Sequence, residues 1–194
     1  MNLAVLSSHN GSGFCAIHQA VLEQKLPLNI QLLVSNNSFA PVLQRAKEFG
    51  VDHYVINAKN HSDPDSALYE LLKANNIDLI FLSGYMKKIA PKITQEFTII
   101  NSHPSLLPKY GGAGMYGTFV HQAVIQNREK ESGVTIHKVN EEYDKGEIIL
   151  QEKLSIEPNE SVASLENRIK ALEKETIIHG LQKFLDSLSL DSAQ

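Results

Sequence analysis

The chain has one cysteine, Cys15, so it can form no internal disulfide, and it carries no C-x-x-C motif for zinc or redox chemistry. It has no H-x-H, H-E-x-x-H or Cys/His cluster, so no metal is expected. It has no G-x-S-x-G elbow, so a serine hydrolase is not indicated. Basic blocks are missing too. The 18 Lys and Arg are spread along 194 residues against 22 acidic ones, for a net charge of −4. Nucleic-acid binding by counterion release is therefore not expected, although local fields leave a small anionic substrate open. No apolar run approaches the ~20 residues of a membrane helix. The apolar start, Met1 to Leu6, lacks a basic flank and soon meets a turn, so it reads as a buried first strand and not a signal peptide. Repeats, linkers and low-complexity tracts are absent. What remains is a cytoplasmic protein of one domain, residues 1–194, with 186–194 as a flexible tail and no membrane partner.

The pattern that is present alternates strands and helices. Strands are expected over Leu3–Leu6, Ile30–Val34, Tyr54–Ile56, Ile77–Ser83 and Thr98–Ser102. Between the first four, the spacing predicts helices over Phe14–Gln24, from Pro41 to a C-terminal Gly50, and over Asp65–Ala74. Later come a helix near Gly117–Gln126, strands over Gly133–Val139 and Glu147–Lys153, and a last helix from about Ser161 to about Phe184. Such alternation predicts an α/β fold: a Rossmann-like, mostly parallel twisted sheet with helices on both faces. The C-terminal part adds an antiparallel extension and a long helix.

Gly11-Ser12-Gly13-Phe14-Cys15-Ala16 matches G-x-G-x-x-A directly after the first strand. Glycines let a backbone approach a ligand, and the open N–H groups of a helix start favour an anion. A dinucleotide site would need an acidic residue closing the second strand, yet no Asp or Glu lies between Glu23 and Glu48. The loop reads as a monophosphate cradle, the bland alternative being an ordinary tight turn.

The most informative stretch is Asn101-Ser102-His103-Pro104-Ser105-Leu106-Leu107-Pro108. Residues two apart on a strand share a face, so Asn101 and His103 present an amide and an imidazole together. Pro104 holds His103 extended. An amide and an imidazole suit a carbonyl oxygen that gains negative charge as an amine attacks. Asp144, in a turn-rich loop, is the candidate carboxylate to orient and stabilise the imidazolium. A structural histidine and a solvated loop acid are the bland alternatives. His137 is the other nearby candidate, as a supporting or core group.

These residues resemble the signature of the formyltransferases that use 10-formyltetrahydrofolate. The likeness extends from Met1 to about Phe184 and includes Gly84-Tyr85-Met86, Asp144-x-Gly146 and Ile148-Ile149-Leu150-Gln151. It points to the purine-synthesis branch of the family. The resemblance implies two small-molecule substrates, 10-formyltetrahydrofolate as co-substrate and 5-phosphoribosylglycinamide as acceptor. It assigns Asn101, His103 and Asp144 to catalysis, with Asp144 raising the His103 pKa. It assigns the phosphate and ribose to Gly11, Ser12, Gly13, Lys170 and Glu173, and the folate to Met86, Lys87, Lys88 and Ile89 together with Asn101 and Asp144. The bland alternatives are a solvated pair for Lys87 and Lys88 and an exposed helical pair for Lys170 and Glu173. A monomer and a homodimer both remain open.

The chain departs from the family pattern in several places. Gly13 stands where Asn is common, and Ser102 replaces an aliphatic residue and is expected to face away from the site. Asp63-Pro64-Asp65 occupies a stretch where an Arg often meets the folate tail. The segment from Lys109 to Gly117 is longer and richer in glycine than the common form. Rival functions are formylation of another amine, hydrolysis of formyltetrahydrofolate, and a non-catalytic nucleotide-binding module.

Overall fold

The computed structural model describes residues 1–191; the end of the expected tail, 192–194, lies outside the described residues. Inter-residue contacts divide the chain into two compact units, Met1–Asn101 and the part from Ser102 onward.

The first unit is a run of strand–helix repeats. Its elements are β1 (Asn2–Leu6), α1 (Ser12–Leu22), β2 (Asn29–Ser35), α2 (Pro41–Glu48), β3 (Asp52–Val55), α3 (Pro64–Ala74), β4 (Leu79–Leu82), α4 (Pro91–Glu96) and the start of β5 (Thr98–His103). β1 pairs in parallel with β2 and β4, β2 with β3, and β4 with β5. The central strands are apolar on both faces, as parallel strands between covering layers must be, and every residue of β4 is buried. Pro41 and Pro64 open α2 and α3 at positions whose N–H would have no helical partner. Asp63 caps α3 by accepting from the Ser66 N–H at 3.0 Å. Gly50 follows α2 with φ +68°, the left-handed conformation that ends a helix. α4 was not expected from the sequence, because six residues between two strands give too short a period to read.

The second unit holds the end of β5, then α5 (Thr118–Gln126), β6 (Glu131–Lys138), β7 (Ile148–Ser155) and α6 (Val162–Asp191). β6 and β7 are antiparallel, with Gly133 opposite Lys153 and His137 opposite Ile148. β7 alternates between exposed and covered positions, as a strand with one wet face does. The strand order is β3-β2-β1-β4-β5-β6-β7. This is the mixed, mostly parallel sheet that the sequence predicted. α6 packs on β6, β7 and α5, and its Leu165, Ile169, Ile177, Leu181 and Phe184 are buried. Gly180 lies where any Cβ would meet Ile136 at 2.8 Å, so the helix approaches the strand closely. α6 continues past the expected end near Phe184 to Asp191, since no Gly or Pro interrupts the sequence there. Among the described residues no helix is long and apolar enough to cross a membrane.

Candidate active site

The phosphate-loop candidates lie at the C-terminal end of β1. Gly11 takes φ +65°, and a Cβ there would collide with Val42, so only glycine fits. α1 begins at Ser12, no side chain caps it, and no acidic residue sits in its first turn. Its leading N–H groups are therefore available to an anion. The Val42 N–H donates to the His9 carbonyl at 3.1 Å and pins the loop from outside.

Met86, Lys87, Lys88 and Ile89 follow β4. Ser8 ties this segment to the phosphate loop: its hydroxyl donates to Asn36 Oδ1 at 2.6 Å and accepts the Met86 N–H at 2.8 Å. Ile89 is buried and Met86 exposed. Lys87 pairs with Asp65 at 2.8 Å, both side chains being partly exposed. Asp65 belongs to the acidic stretch that departs from the family pattern, so here it meets a lysine.

In the second unit the end of β5 carries His103, and the loop after β6 carries Asp144. The structure brings these two together: His103 Nδ1 lies 3.6 Å from Asp144 Oδ2, with the side chains only 5% and 11% exposed. Asp144 adopts a left-handed backbone, φ +56°, which turns its side chain inward at a conformational cost for a non-glycine residue. His137 approaches the other carboxylate oxygen, with Nε2 3.6 Å from Oδ1. Asp144 thus sits between two buried imidazoles. Asn101 lies on the same strand as His103 at two-residue spacing, on the last residue of the first unit.

The opposite nitrogens of both rings meet backbone oxygens. His103 Nε2 is 2.7 Å from the Tyr110 carbonyl, and His137 Nδ1 is 2.8 Å from that of Lys138. A carbonyl only accepts, so each ring puts one N–H there. The nitrogen facing Asp144 then carries a proton only in the imidazolium form. Burial pushes the His103 pKa down and outweighs the upward pull of Asp144 and of the Tyr110 carbonyl. The sequence-based expectation that Asp144 raises it holds for the direction of that interaction, while the net shift is downward. Burial likewise pushes the Asp144 carboxyl up, but His137, His103 and the Gly112 N–H together hold it below the ordinary range.

The glycine-rich segment after Pro108 is fastened to this pair. Gly112 N–H donates to Asp144 Oδ2 at 2.9 Å, and the Tyr110 carbonyl reaches His103. The run before it is held by buried bonds. Thr135 Oγ1 donates to the Ser105 carbonyl at 2.6 Å and accepts the Leu107 N–H at 3.1 Å, while Gln151 donates to the Leu107 carbonyl at 2.9 Å. Gly146 closes the Asp144 loop, and a Cβ there would strike the Lys138 backbone carbonyl. Gly146→Ala is therefore expected to cost about 2–3 kcal/mol of stability and to lower activity by displacing Asp144. Urea unfolding and kcat/KM measured side by side check this, and wild-type values for both would contradict the packing.

Lys170 and Glu173 share α6 but have separate partners. Lys170 pairs with Glu166 at 2.6 Å, and Glu166 also accepts from Thr118 at 2.9 Å. Glu173 is half-buried and accepts from Ser102 Oγ at 2.6 Å. Sequence reasoning did not foresee either partnership. Glu166 stands four residues before Lys170, a helical spacing that could have signalled the pair, whereas nothing in the sequence marks Ser102 and Glu173 as neighbours. Ser102, expected to face away from the site, is the hydrogen-bond donor to Glu173, one of the assigned substrate residues.

A mixed, mostly parallel sheet and a buried His–carboxylate pair suit an enzyme, and comparison with known proteins specifies the class. Residues 1–181 match the formyl transferase family, and the chain belongs to that family. The phosphoribosylglycinamide formyltransferase of Haemophilus influenzae is 40% identical over 88% of this chain and 81% of its own length. The Bacillus subtilis protein of the same name is 34% identical over 88% of this chain and 87% of its own length. Among solved structures, glycinamide ribonucleotide transformylase 1 from Symbiobacterium toebii superposes with a TM-score of 0.89 at 29% identity, covering 96% of this chain and 88% of that one.

Proposed function

We propose that this chain transfers the formyl group of 10-formyltetrahydrofolate to the amine of 5-phosphoribosylglycinamide, in the cytoplasm and as one formyltransferase domain. The observation that carries the reading is the buried His103–Asp144 pair in a chain whose relatives bear the matching name. The substrate amine attacks the formyl carbon, forming a C–N bond while the carbonyl oxygen becomes an oxyanion. Asn101 and the His103 imidazolium donate hydrogen bonds to that oxygen. The intermediate collapses, the bond from carbon to the folate nitrogen breaks, and that nitrogen takes a proton from His103 or water. The proton lost by the attacking amine restores the balance. His103 needs a free ring N–H for this, so the contact with the Tyr110 carbonyl is exchanged for the substrate. Gly11, Ser12 and Gly13 hold the phosphate with Lys170. Glu173 accepts from the ribose hydroxyls. Met86, Lys87, Lys88 and Ile89 meet the folate.

The test is folate deformylation followed by absorbance, with and without the ribonucleotide. Turnover that requires the ribonucleotide is the expected result. Turnover in its absence would replace the reading by a hydrolase. No turnover with either would point to another acceptor or to a binding module.

A further inference from the structure

Ser102 follows the last residue of the first unit and precedes the catalytic candidate His103. Alternation along β5 turns it to the face opposite that of Asn101 and His103. Its hydroxyl donates to Glu173 Oε1 at 2.6 Å, a short bond of the kind made to an ionised oxygen. Glu173 needs such a bond. Burial pushes its carboxyl pKa up, and Ser102 and Lys170 pull it partly back. Among the described residues Oε2 takes no hydrogen bond. The cation one turn away does not supply one, since Lys170 is drawn to Glu166, which Thr118 holds in turn.

We propose that Ser102 is a positioning residue for substrate binding: it fixes one oxygen of the Glu173 carboxylate so that the other is held ready for the vicinal hydroxyls of a ribose. The inference rests on the reading of Glu173 as the ribose-binding acid. The chemistry favours a neutral diol at Oε2. A half-buried carboxylate with one oxygen satisfied can accept hydroxyl donors without taking a second charge out of water. With an aliphatic residue at 102, the carboxylate would lose both a donor and its rotational anchor. It would then bind a diol less well and take up a proton more readily.

The experiment uses Ser102→Ala, the conservative Ser102→Thr, and Glu173→Gln, each checked for wild-type thermal unfolding. Ser102→Ala is expected to raise KM for 5-phosphoribosylglycinamide by about tenfold or more, the usual loss for a hydrogen bond to a charged group, and to leave kcat and the KM for the folate within about twofold. Ser102→Thr keeps the hydroxyl and should restore KM. The 2′,3′-dideoxy ribonucleotide should bind equally to wild type and Ser102→Ala. The acid limb of kcat/KM for the ribonucleotide should move to higher pH in Ser102→Ala, because loss of the bond favours the protonated carboxyl. The other groups near this part of α6 are already engaged. Glu152 of β7 is taken by Thr176 and His179, and His121 of α5 interacts with Glu166, Lys170 and His103, which leaves Lys170 as the charge acting on Glu173. If Glu173→Gln raises KM while Ser102→Ala does not, the positioning role is wrong and the ribose reading survives. If Glu173→Gln leaves KM unchanged, both fall. An equal rise in KM for the dideoxy substrate would also overturn the positioning role.

Discussion

His103→Ala is expected to lower the single-turnover rate of formyl transfer by about 10²–10⁴-fold, the range of one general acid and oxyanion donor. The argument is geometric. His103 is buried, two residues from Asn101 on one strand, with a carboxylate on one ring nitrogen and a carbonyl on the other. No other described side chain occupies that position, so water entering the gap would have to supply both the charge and the proton. His103→Gln separates these roles. Its amide can still donate to the Tyr110 carbonyl and hold the loop, but it cannot transfer a proton. Both variants should lose rate, with the glutamine form closer to wild type in thermal stability. A single-turnover rate near wild type in His103→Ala would remove this residue from the chemistry.

Asp144→Asn should be nearly as damaging, at about 10²–10⁴-fold in kcat, while the fold survives. The asparagine oxygen can still accept the Gly112 N–H, so the glycine-rich segment stays attached. What disappears is the negative charge between His103 and His137. The sign of the pH effect follows from the opposing influences on His103, where burial lowers its pKa and Asp144 raises it. Without Asp144 burial acts with less opposition, and the imidazolium becomes harder to form. If protonated His103 is the working form, the basic limb of the pH–rate profile moves to lower pH and activity at neutral pH drops. An unchanged profile in a folded Asp144→Asn protein would exclude the electrostatic role.

Much of this architecture could be read from the amino acids, and the missing parts share a cause. The parallel strands were legible because continuous apolar runs such as Leu79–Leu82 alternate with helices opened by Pro41 and Pro64. The His103–Asp144 partnership was legible through the chemistry of its residues together with the family resemblance. Periodicity alone leaves a loop aspartate undecided. Contacts between residues distant in sequence and contacts through backbone atoms were not legible. Ser102 and Glu173 lie 71 residues apart with no shared pattern. The Tyr110 carbonyl has no side-chain signature, and the left-handed Asp144 backbone is a local conformation that a non-glycine residue does not advertise. Glu166 diverts Lys170 from the partnership its spacing with Glu173 suggested, since two acids on one helix compete for one ammonium.

The placement of Asp144 between two histidines makes one carboxylate serve two rings. One carboxylate cannot stabilise two imidazolium rings as fully as it stabilises one, and a charge on His137 pushes the His103 pKa down. His103 therefore feels Asp144 and His137 in opposite senses, and the shared carboxylate links the two rings. With both outer nitrogens turned to carbonyls, the Asp144 carboxylate lies between the inner edges of the two rings. Asp144 is thus a shared anchor: one carboxylate orients rings from two strands, so displacing it would loosen both at once.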